Sequence, residues 1–281
     1  NKGRRADVLV MTATPIPRTL ALYVYSDLDI SVIDKLPPGR KPVKTEFYNG
    51  DHRMLAYDLA LDEIRKGRQV YIVCPLIEED EKLSLNSVEK LYDELRDGVF
   101  RGINIEILHG KMKPKEKDEI INRFKGDETK VIISTTVIEV GVNVPNASVM
   151  IIENAERFGL AQLHQLRGRV GRGQYESYCI LTGNAKTNTT KRRMEIMTES
   201  TDGFYISEQD LKLRGSGELF GLKQSGDEGF VLANLYDDVK ILRCAREEGK
   251  MLLESEDPNK VKLCRDIAYS LERWSKYICF N

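Results

Sequence analysis

The sequence predicts an α/β protein with a mostly parallel β-sheet and helices on both faces, followed by a helical hairpin and a small C-terminal helical segment. Two observations predict this class. Short apolar runs typical of strands alternate with amphipathic stretches typical of helices from Val43 to about residue 185. Beyond that point the patterns are helical, and the composition, 41% hydrophobic and 31% charged, is typical of a packed globular protein.

The first 42 residues precede this alternation. Asp7–Met11 is predicted as a short strand, and the motif T-A-T-P-I-P-R-T follows it from Thr12. Thr14 can cap a helix whose first turn contains two prolines, because the first amide groups of a helix lack partners within it. The proline-rich, basic segment Pro37–Pro42 then leads into the α/β region.

The α/β region is predicted to occupy residues 43–185. Its predicted strands are Lys44–Phe47, Val70–Cys74, Ile103–Leu108, Val131–Ser134, Val149–Ile152 and Tyr178–Leu181. Its predicted helices are His52–Lys66, Ser87–Arg96, Pro114–Lys125 and Leu160–Leu166. Because strands and helices alternate, we expect a mostly parallel sheet covered by helices on both faces.

Two helical parts are predicted after the sheet. Residues 186–230 form a helical hairpin and a glycine-containing loop, with Asp202–Leu213 as the second helix of the hairpin. Residues 231–281 carry helical periodicity together with an acidic stretch and form the C-terminal segment. The sequence therefore divides into four parts, residues 1–42, 43–185, 186–230 and 231–281.

The composition limits the possible function classes. The 43 basic and 44 acidic residues cancel, so any binding to nucleic acid has to come from local patches. Five scattered cysteines without C-x-x-C spacing indicate free thiols in a reducing compartment, and with three histidines no metal site is predicted. No apolar run approaches the ~18 residues of a membrane span, and the N-terminus does not resemble a signal peptide. We therefore expect a cytoplasmic protein without a membrane partner.

The segment Gln162–Arg172 concentrates positive charge. Arg167, Arg169 and Arg172 lie within six residues and have no acidic neighbour in the sequence. Such a cluster needs an anionic partner, and the planar guanidinium fork suits phosphate. The glycines between the arginines would let the backbone approach a ligand closely. The alternative is a solvated basic loop.

Two further polar groups follow predicted strands. Thr135 and Thr136 come at the carboxyl end of a strand, where parallel sheets bind ligands and hydroxyl groups can hold a phosphate oxygen. The alternative there is an ordinary helix cap. His109 and Lys111 close another strand, and by themselves they are more typical of a turn than of a ligand site. The chain contains no G-x-x-x-x-G-K-[ST] phosphate loop.

The hairpin region holds a second polar block. Arg193 lies on its first helix, and Arg214 and Gln224 lie at the start and within the glycine-rich loop that follows the second helix. The alternative is a helical hairpin that only packs on the preceding domain.

In order along the chain, several motifs resemble the RecG family of double-stranded DNA translocases, over residues 4–230. They are T-A-T-P-I-P-R-T, L-H-G-x-M, T-T-x-I-E-V-G-V-x-V-P-N-A, F-G-L-A-Q-L-H-Q-L-R-G-R-V-G-R and D-L-K-L-R-G-x-G-E. The Mfd family of transcription-repair coupling factors shares the arginine motif and the hairpin. The linker Pro37–Pro42 and the segment Glu153–Leu160 favour RecG. The resemblance implies a RecA-like helicase C-terminal lobe followed by the TRG hairpin (translocation in RecG).

The resemblance implies roles for single residues at a nucleotide. Arg169 and Arg172 are expected to meet the γ-phosphate of ATP, and Gln165 to help sense it. Gly141 and Asn143 are expected to lie at the ribose. Asn143 stands where the family pattern often has Asp, so a neutral hydrogen bond replaces a charge-assisted one. An arginine finger of this kind accelerates phosphoryl transfer by ~10³–10⁵.

The resemblance also implies residues that engage DNA or couple nucleotide state to movement. The coupling residues of the hairpin are Arg193, Arg214 and Gln224. Thr12 and Thr14 correspond to helicase motif III, which links hydrolysis to DNA engagement. Four further residues are expected to contact the DNA backbone, namely His109, Lys111, Thr135 and Thr136.

Partners outside the chain are implied as well. The phosphate cradle and magnesium ligands are expected on a first RecA-like lobe, which together with an N-terminal wedge domain would precede this chain. We therefore expect ATP and Mg²⁺ as cofactors, branched double-stranded DNA such as forks and Holliday junctions as substrate, and a nucleoid-associated location. The chain alone is expected not to hydrolyse ATP. The alternatives are an Mfd-like translocase and a non-enzymatic DNA-binding lobe.

Overall fold

The computed structural model describes residues 9, 11–12, 31–33, 40–75, 81–135, 144–214 and 239–275. These residues form two compact units that meet in the sequence between Leu213 and Arg214. The first unit contains the sheet, and the second contains the C-terminal helices. The predicted strand Asp7–Met11 and the helix capped by Thr14 lie largely outside the described residues.

Six strands form one sheet in which all neighbouring strands are parallel. They are β1 (Val43–Asn49), β2 (Gln69–Cys74), β3 (Ile105–Leu108), β4 (Val131–Thr135), β5 (Ala147–Ile152) and β6 (Ser177–Gly183). Their order across the sheet is β1-β6-β5-β2-β4-β3. Every residue of β2, β4 and β5 is buried, as expected for inner strands of a parallel sheet covered on both faces. The predicted α/β class is confirmed.

In the described part of the first unit, four helices connect the strands and two more come after the last strand. The connecting helices are α1 (Arg53–Arg65), α2 (Glu81–Asp97), α3 (Pro114–Lys125) and α4 (Leu160–Arg167), and the two that follow are α5 (Asn188–Glu199) and α6 (Gly203–Arg214). Helix α5 begins where the Thr187 hydroxyl accepts a hydrogen bond from the Thr190 amide, at 3.1 Å. Three residues, 200–202, join α5 to α6, which is the short connection that a helical hairpin needs.

The two faces of the sheet are covered by different helices, because successive side chains along a strand point to opposite faces. On β2, Val70 and Ile72 pack in one core with α1 and α2. Tyr71 and Val73 pack in the other core with α3, α4 and α5. Phe124 of α3 lies against Tyr71 with ring centroids 4.9 Å apart. The sheet is therefore the middle layer of three.

Two element boundaries differ from the prediction. The helix predicted from Ser87 begins at Glu81, because the intervening residues include Glu, Lys and Leu, which favour helix. The strand predicted from Ile103 begins at Ile105. The chain turns before it through Gly102, whose φ of +82° lies in the left-handed region that favours glycine.

Beyond Arg214, the described part of the second unit consists of two helices that contact each other, α7 (Val239–Leu253) and α8 (Pro258–Ser275), and the residues that join them. Helix α8 begins after Asp257, whose carboxylate accepts a hydrogen bond from the Asn259 amide at 2.8 Å. The helical pattern predicted for residues 231–281 is thus confirmed in residues 239–275. None of the helices in the described part of the chain is both long and apolar enough to cross a membrane.

Candidate functional site

The predicted arginine motif lies on α4 and on the loop after it, residues 168–176, which we call the arginine loop. The loop lies at the amino edge of the sheet, where Gly171 packs against Val43, the first residue of β1. A Cβ atom at position 171 would come within 2.7 Å of the Val43 Cγ2 atom, and Gly171 has φ +75°. Packing and backbone conformation, rather than the expected close approach to a ligand, therefore explain why glycine is needed there.

Arg169 and Arg172 have no carboxylate partner among the residues that the structure describes. Arg172 is exposed, and its Nε donates to the Gly168 carbonyl at 3.2 Å. Arg169 is half-buried, and burial followed by the charge of Arg172 lowers the pKa of its guanidinium. Burial raises the pKa of the Tyr71 phenol to about 12, and the charges of both arginines oppose that rise. Within the described part of the chain, the charge of the two guanidiniums is therefore not neutralised by a carboxylate, which suits a site for an anion.

A third guanidinium, which the sequence prediction missed, joins this group. Arg40 comes from the Pro37–Pro42 segment, and its Nη2 donates to the same Gly168 carbonyl at 3.0 Å. Burial and then the charge of Arg172 lower the pKa of Arg40. The basic character of the linker was the available sequence signal. It could not reveal a contact between residues that lie 128 positions apart.

Arg167 corrects the prediction that the whole arginine run faces an anion. Its side chain is buried, and its Nη1 donates to the carbonyls of Met197 and Ser200 at 2.9 and 2.8 Å. These carbonyls lie at the C-terminal end of α5, where the helix dipole favours a cation. Arg167 follows Leu163 by one helical turn, so helical spacing could have placed it on the buried face of α4.

His164 lies beside Arg167 on α4 and is half-buried. Its Nδ1 is 3.0 Å from the Nη2 of Arg167. Burial and then the charge of Arg167 lower the pKa of His164 to about 4. The imidazole is therefore neutral at pH 7. Because a guanidinium can only donate, Nδ1 is the unprotonated nitrogen that accepts this hydrogen bond.

Arg193 makes a second connection between α4 and α5. Its Nη1 donates at 2.8 Å to the carbonyl of Phe158, which lies just before α4, and its Nε is buried without a hydrogen-bond partner. Arg167 joins the end of α4 to the end of α5, and Arg193 joins α5 to the start of α4. The helix that precedes the arginine loop is therefore tied at both ends to the first helix of the hairpin.

The carboxyl edge of the sheet holds other predicted residues. His109 and Lys111 lie in the turn after β3, which Lys117 closes by donating from Nζ to a turn carbonyl at 2.8 Å. The Nδ1 of His109 is buried without a hydrogen-bond partner, and burial lowers the pKa of this ring. Thr135 is buried at the end of β4, and the neighbouring Ser134 hydroxyl also lacks a partner. His109 and Thr135 therefore share one edge, opposite to the arginine loop.

The remaining candidates are scattered. Gln165 is exposed on α4, Thr12 is exposed near the start of the chain, and Arg214 is the last residue of α6. Five predicted residues lie outside the described part of the chain, namely Thr14, Thr136, Gly141, Asn143 and Gln224. Within the described ranges, no group of His, Cys, Asp and Glu side chains is placed to hold a metal ion.

A buried carboxylate at the carboxyl edge was not among the predicted site residues. Glu153 follows β5, is 5% exposed, and accepts hydrogen bonds from the Tyr57 hydroxyl at 2.6 Å and the Arg53 Nε at 3.0 Å. The Arg53 guanidinium also lies over the Tyr57 ring, 5.2 Å from its centroid. Burial and then the charge of Glu153 raise the pKa of Tyr57. These three side chains pair with one another and join α1 to β5.

Two family models match successive parts of the chain. The helicase conserved C-terminal domain matches residues 51–174, which include most of the sheet and of the arginine loop. Domain 3, C-terminal, of the ATP-dependent DNA helicase RecG matches residues 200–270, which include α6, α7 and most of α8.

Several relatives match most of the chain. The ATP-dependent DNA helicase RecG of Synechocystis sp. is 52% identical over 258 residues, which are 92% of this chain and 31% of that protein. The RecG of Bacillus subtilis is 51% identical over 259 residues, 91% of this chain and 38% of that protein. A solved structure of RecG bound to a three-way DNA junction is 47% identical, with a TM-score of 0.67 over 86% of this chain and 31% of that chain. The chain therefore spans about a third of the length of these relatives.

Proposed function

We propose that this chain, which is 51–52% identical to two RecG helicases over 91–92% of its length, is the second motor lobe and coupling hairpin of a RecG-type ATP-dependent translocase acting on branched double-stranded DNA. The unneutralised charge of Arg169 and Arg172 at the amino edge carries this proposal, because such charge needs an anionic ligand. Since the chain spans about a third of its relatives, the proposal assigns the other half of the nucleotide site to a first RecA-like lobe of the full-length protein.

In this proposal the nucleotide lies against the arginine loop. Arg169 and Arg172 contact the γ-phosphate of ATP, and Gln165 helps to sense it. Phosphoryl transfer is catalysed mainly by positioning and by neutralising the charge of the transferred group, which is what two guanidiniums can do. Gly141 and Asn143 contact the ribose. The first lobe holds Mg²⁺ and the rest of the triphosphate, because the arginine loop supplies donors that suit phosphate rather than carboxylates that suit a cation.

The DNA lies against the opposite edge of the sheet in this proposal. His109 and Lys111 approach the DNA backbone together with Thr12, Thr14, Thr135 and Thr136. The Nδ1 of His109, buried without a partner, and the exposed side chain of Lys111 support this placement. RecG has been solved on a three-way DNA junction, which supports branched DNA, such as stalled forks and Holliday junctions, as the substrate.

The hairpin couples the two edges. Arg167 and Arg193 tie α5 to both ends of α4, so a displacement of the hairpin reaches the arginine loop through hydrogen bonds already present. Arg193 therefore keeps its proposed coupling role, as do Arg214 at the end of α6 and Gln224. Movement on duplex DNA would then follow the state of the nucleotide.

The matched relatives favour this function over the alternatives. The relatives described above are RecG helicases that are 47–52% identical to this chain, and identity of this level over most of the chain favours a RecG-type translocase over an Mfd-like coupling factor. A non-enzymatic DNA-binding lobe would not need two guanidiniums that lack a carboxylate among the described residues and lie at the edge away from the proposed DNA contacts. A protein that remodels forks acts on chromosomal DNA, so the proposal includes a location at the nucleoid in the cytoplasm.

Substitution of Arg172 by Ala in the full-length protein tests this function. We expect DNA-stimulated ATP turnover to fall by ~10³-fold or more, because one charge that stabilises the transition state is lost. Affinity for ATP should change only severalfold, since the first lobe holds most of the nucleotide.

The matched control is Arg101→Ala. Arg101 is an exposed arginine in the turn before β3, also at the amino edge but on the far side of the sheet. The Arg101→Ala variant should leave DNA-stimulated ATP turnover unchanged. Normal DNA-stimulated turnover by the Arg172→Ala variant would refute the proposed function and favour a lobe that binds DNA without catalysis.

A further inference from the structure

We infer that Arg40 is a positioning residue for the arginine loop, holding the Gly168 carbonyl so that the guanidinium of Arg172 can leave it for an anion. The inference rests on the proposed function, because the anion it concerns is the terminal phosphate of the nucleotide. It assigns a role in the site to the linker that precedes the sheet.

The first observation is a shared acceptor. The Gly168 carbonyl accepts from the Arg40 Nη2 at 3.0 Å and from the Arg172 Nε at 3.2 Å. A carbonyl oxygen has two lone pairs, so it is fully occupied by these two donors. Gly168 caps the end of α4, where carbonyl groups lack partners within the helix. If Arg172 moves away, Arg40 still satisfies this carbonyl.

The two donors differ in burial, which decides which of them moves. Arg40 is half-buried and its hydrogen bond is partly buried, whereas Arg172 and its hydrogen bond are exposed. Water can replace an exposed donor such as Arg172 at little cost, whereas a half-buried guanidinium such as Arg40 loses its acceptor where less water can reach it. Arg172 is therefore the mobile partner and Arg40 the fixed one.

Repulsion between the guanidiniums of Arg40 and Arg172 also favours movement of Arg172. Two guanidiniums on one oxygen repel each other, and the structure describes no carboxylate paired with either of them. Movement of Arg172 onto a phosphate replaces this repulsion with a charge-assisted hydrogen bond. Arg40 thus favours the departure of Arg172 while it keeps the end of α4 in place.

The second observation is that the same short stretch supports the rest of the loop. A Cβ atom at Gly171 would lie 3.6 Å from the Lys41 carbonyl and 2.7 Å from the Val43 side chain. Residues 40–43 therefore contact the loop at both of its first two glycines. Residues 40–43, which in the proposed motor follow the first lobe, therefore support the arginine loop.

The test compares Arg40→Gln with Arg101→Gln in the full-length protein. The Arg40→Gln change removes the charge and the fork, and we expect kcat for DNA-stimulated ATP hydrolysis to fall about tenfold, the size of one lost hydrogen bond to a charged group. The KM for ATP should change less than about twofold, because Arg40 does not touch the nucleotide. Arg101→Gln should change neither value.

Hydrogen exchange of the nucleotide-free protein gives a second readout. The amides of Arg169 and Val170 are bonded to the carbonyls of Leu166 and Arg167 at the end of α4. We expect these amides to exchange faster in Arg40→Gln and at the normal rate in Arg101→Gln, because the helix end has lost its fixed support.

Three results would overturn the inference: an unchanged kcat in Arg40→Gln, an equal loss in Arg101→Gln, or a raised KM with unchanged kcat. The last would mean that Arg40 contacts the nucleotide directly. If Arg172→Ala abolishes turnover while Arg40→Gln does not affect it, only this inference fails. If Arg172→Ala leaves turnover intact, the proposed function fails first.

Discussion

The two edges of the sheet differ in whether their charged side chains are paired with an opposite charge within the described part of the protein. At the carboxyl edge, the buried carboxylate of Glu153 is fully engaged by Arg53 and Tyr57. At the amino edge, Arg40 and Arg172 meet on a backbone carbonyl, and the described residues offer them no carboxylate. A charge that is paired within the protein contributes to the fold. A charge that the protein leaves without a counter-charge is available to a partner from outside, which is the role that we propose for the arginine loop.

The largest expected effect on stability is at the paired edge. Replacing Glu153 by Ala removes the carboxylate that accepts from the buried Tyr57 hydroxyl, and it leaves the half-buried Arg53 guanidinium only the more distant carboxylate of Glu94, at 3.8 Å, among the described residues. Removing one member of a buried pair of this kind costs about 3 kcal/mol or more. The free energy of unfolding of this chain in urea should fall by that amount.

The control is Glu176→Ala, which removes an exposed carboxylate that pairs with Lys44 at 3.2 Å. Exposed pairs contribute little, so this variant should unfold close to the midpoint of the unaltered chain. Equal losses in the two variants would show that the Glu153 network does not differ energetically from a surface ion pair.

A smaller effect is expected from His164, next to the amino edge. Its pKa is about 4 in the folded chain and 6.5 in the reference state, so between these values the unfolded chain binds a proton that the folded chain does not. The contribution of His164 is complete above about pH 7 and is lost as the pH falls toward 4. After a discount for the exposed part of the ring, we expect a loss of about 2 kcal/mol across this range.

The measurement is urea unfolding of this chain at several pH values, for the unaltered sequence and for His164→Gln, which stays neutral. The variant should lose less stability on acidification. His109→Gln is the comparison at the carboxyl edge, where burial also lowers the pKa of the ring. Identical pH profiles for His164→Gln and the unaltered chain would contradict the assignment of a neutral, accepting imidazole beside Arg167.

The smallest effect is expected from Arg172 itself. Its side chain is exposed, and its replacement by Ala removes one hydrogen bond together with repulsion from Arg40. We expect the free energy of unfolding to change by no more than about 0.5 kcal/mol, although turnover of the full-length protein collapses. A large loss of stability, measured in urea on this chain, would mean that Arg172 is a structural residue like Arg167.

Most of the fold could be predicted from the sequence because each strand and each helix has a local pattern of apolar and polar residues. The run Val70–Cys74 is apolar throughout, and it forms the centre of the sheet with every residue buried. The order of the strands could not be predicted in this way. Pairing of β1 with β6 brings Val43 beside Ser177, and no local pattern records a contact over that distance.

The candidate site was predicted in part, for the same reason. The spacing of Arg169 and Arg172 identified the loop, and the structure leaves both without a carboxylate among the described residues. The spacing of the arginines in the motif does not indicate that the Arg167 side chain is buried. Its position one helical turn after the buried Leu163 does indicate it. Arg40 was not predicted because its role depends on a tertiary contact. The roles of Thr14, Thr136, Gly141, Asn143 and Gln224 stay predictions.

The short helix α4 sets a mechanical limit on the motor that we propose. It has eight residues and is therefore about 12 Å long, too short to bend appreciably. One end lies beside the carbonyl that Arg193 holds, and the other carries the arginine loop. In the motor that we propose, a helix this short would turn as one rigid piece, so a tilt at its DNA-facing end would produce an opposite displacement at its nucleotide-facing end. Movement at the DNA and movement at the nucleotide would then be coupled by the rigid helix, without any local unfolding of the lobe during the cycle.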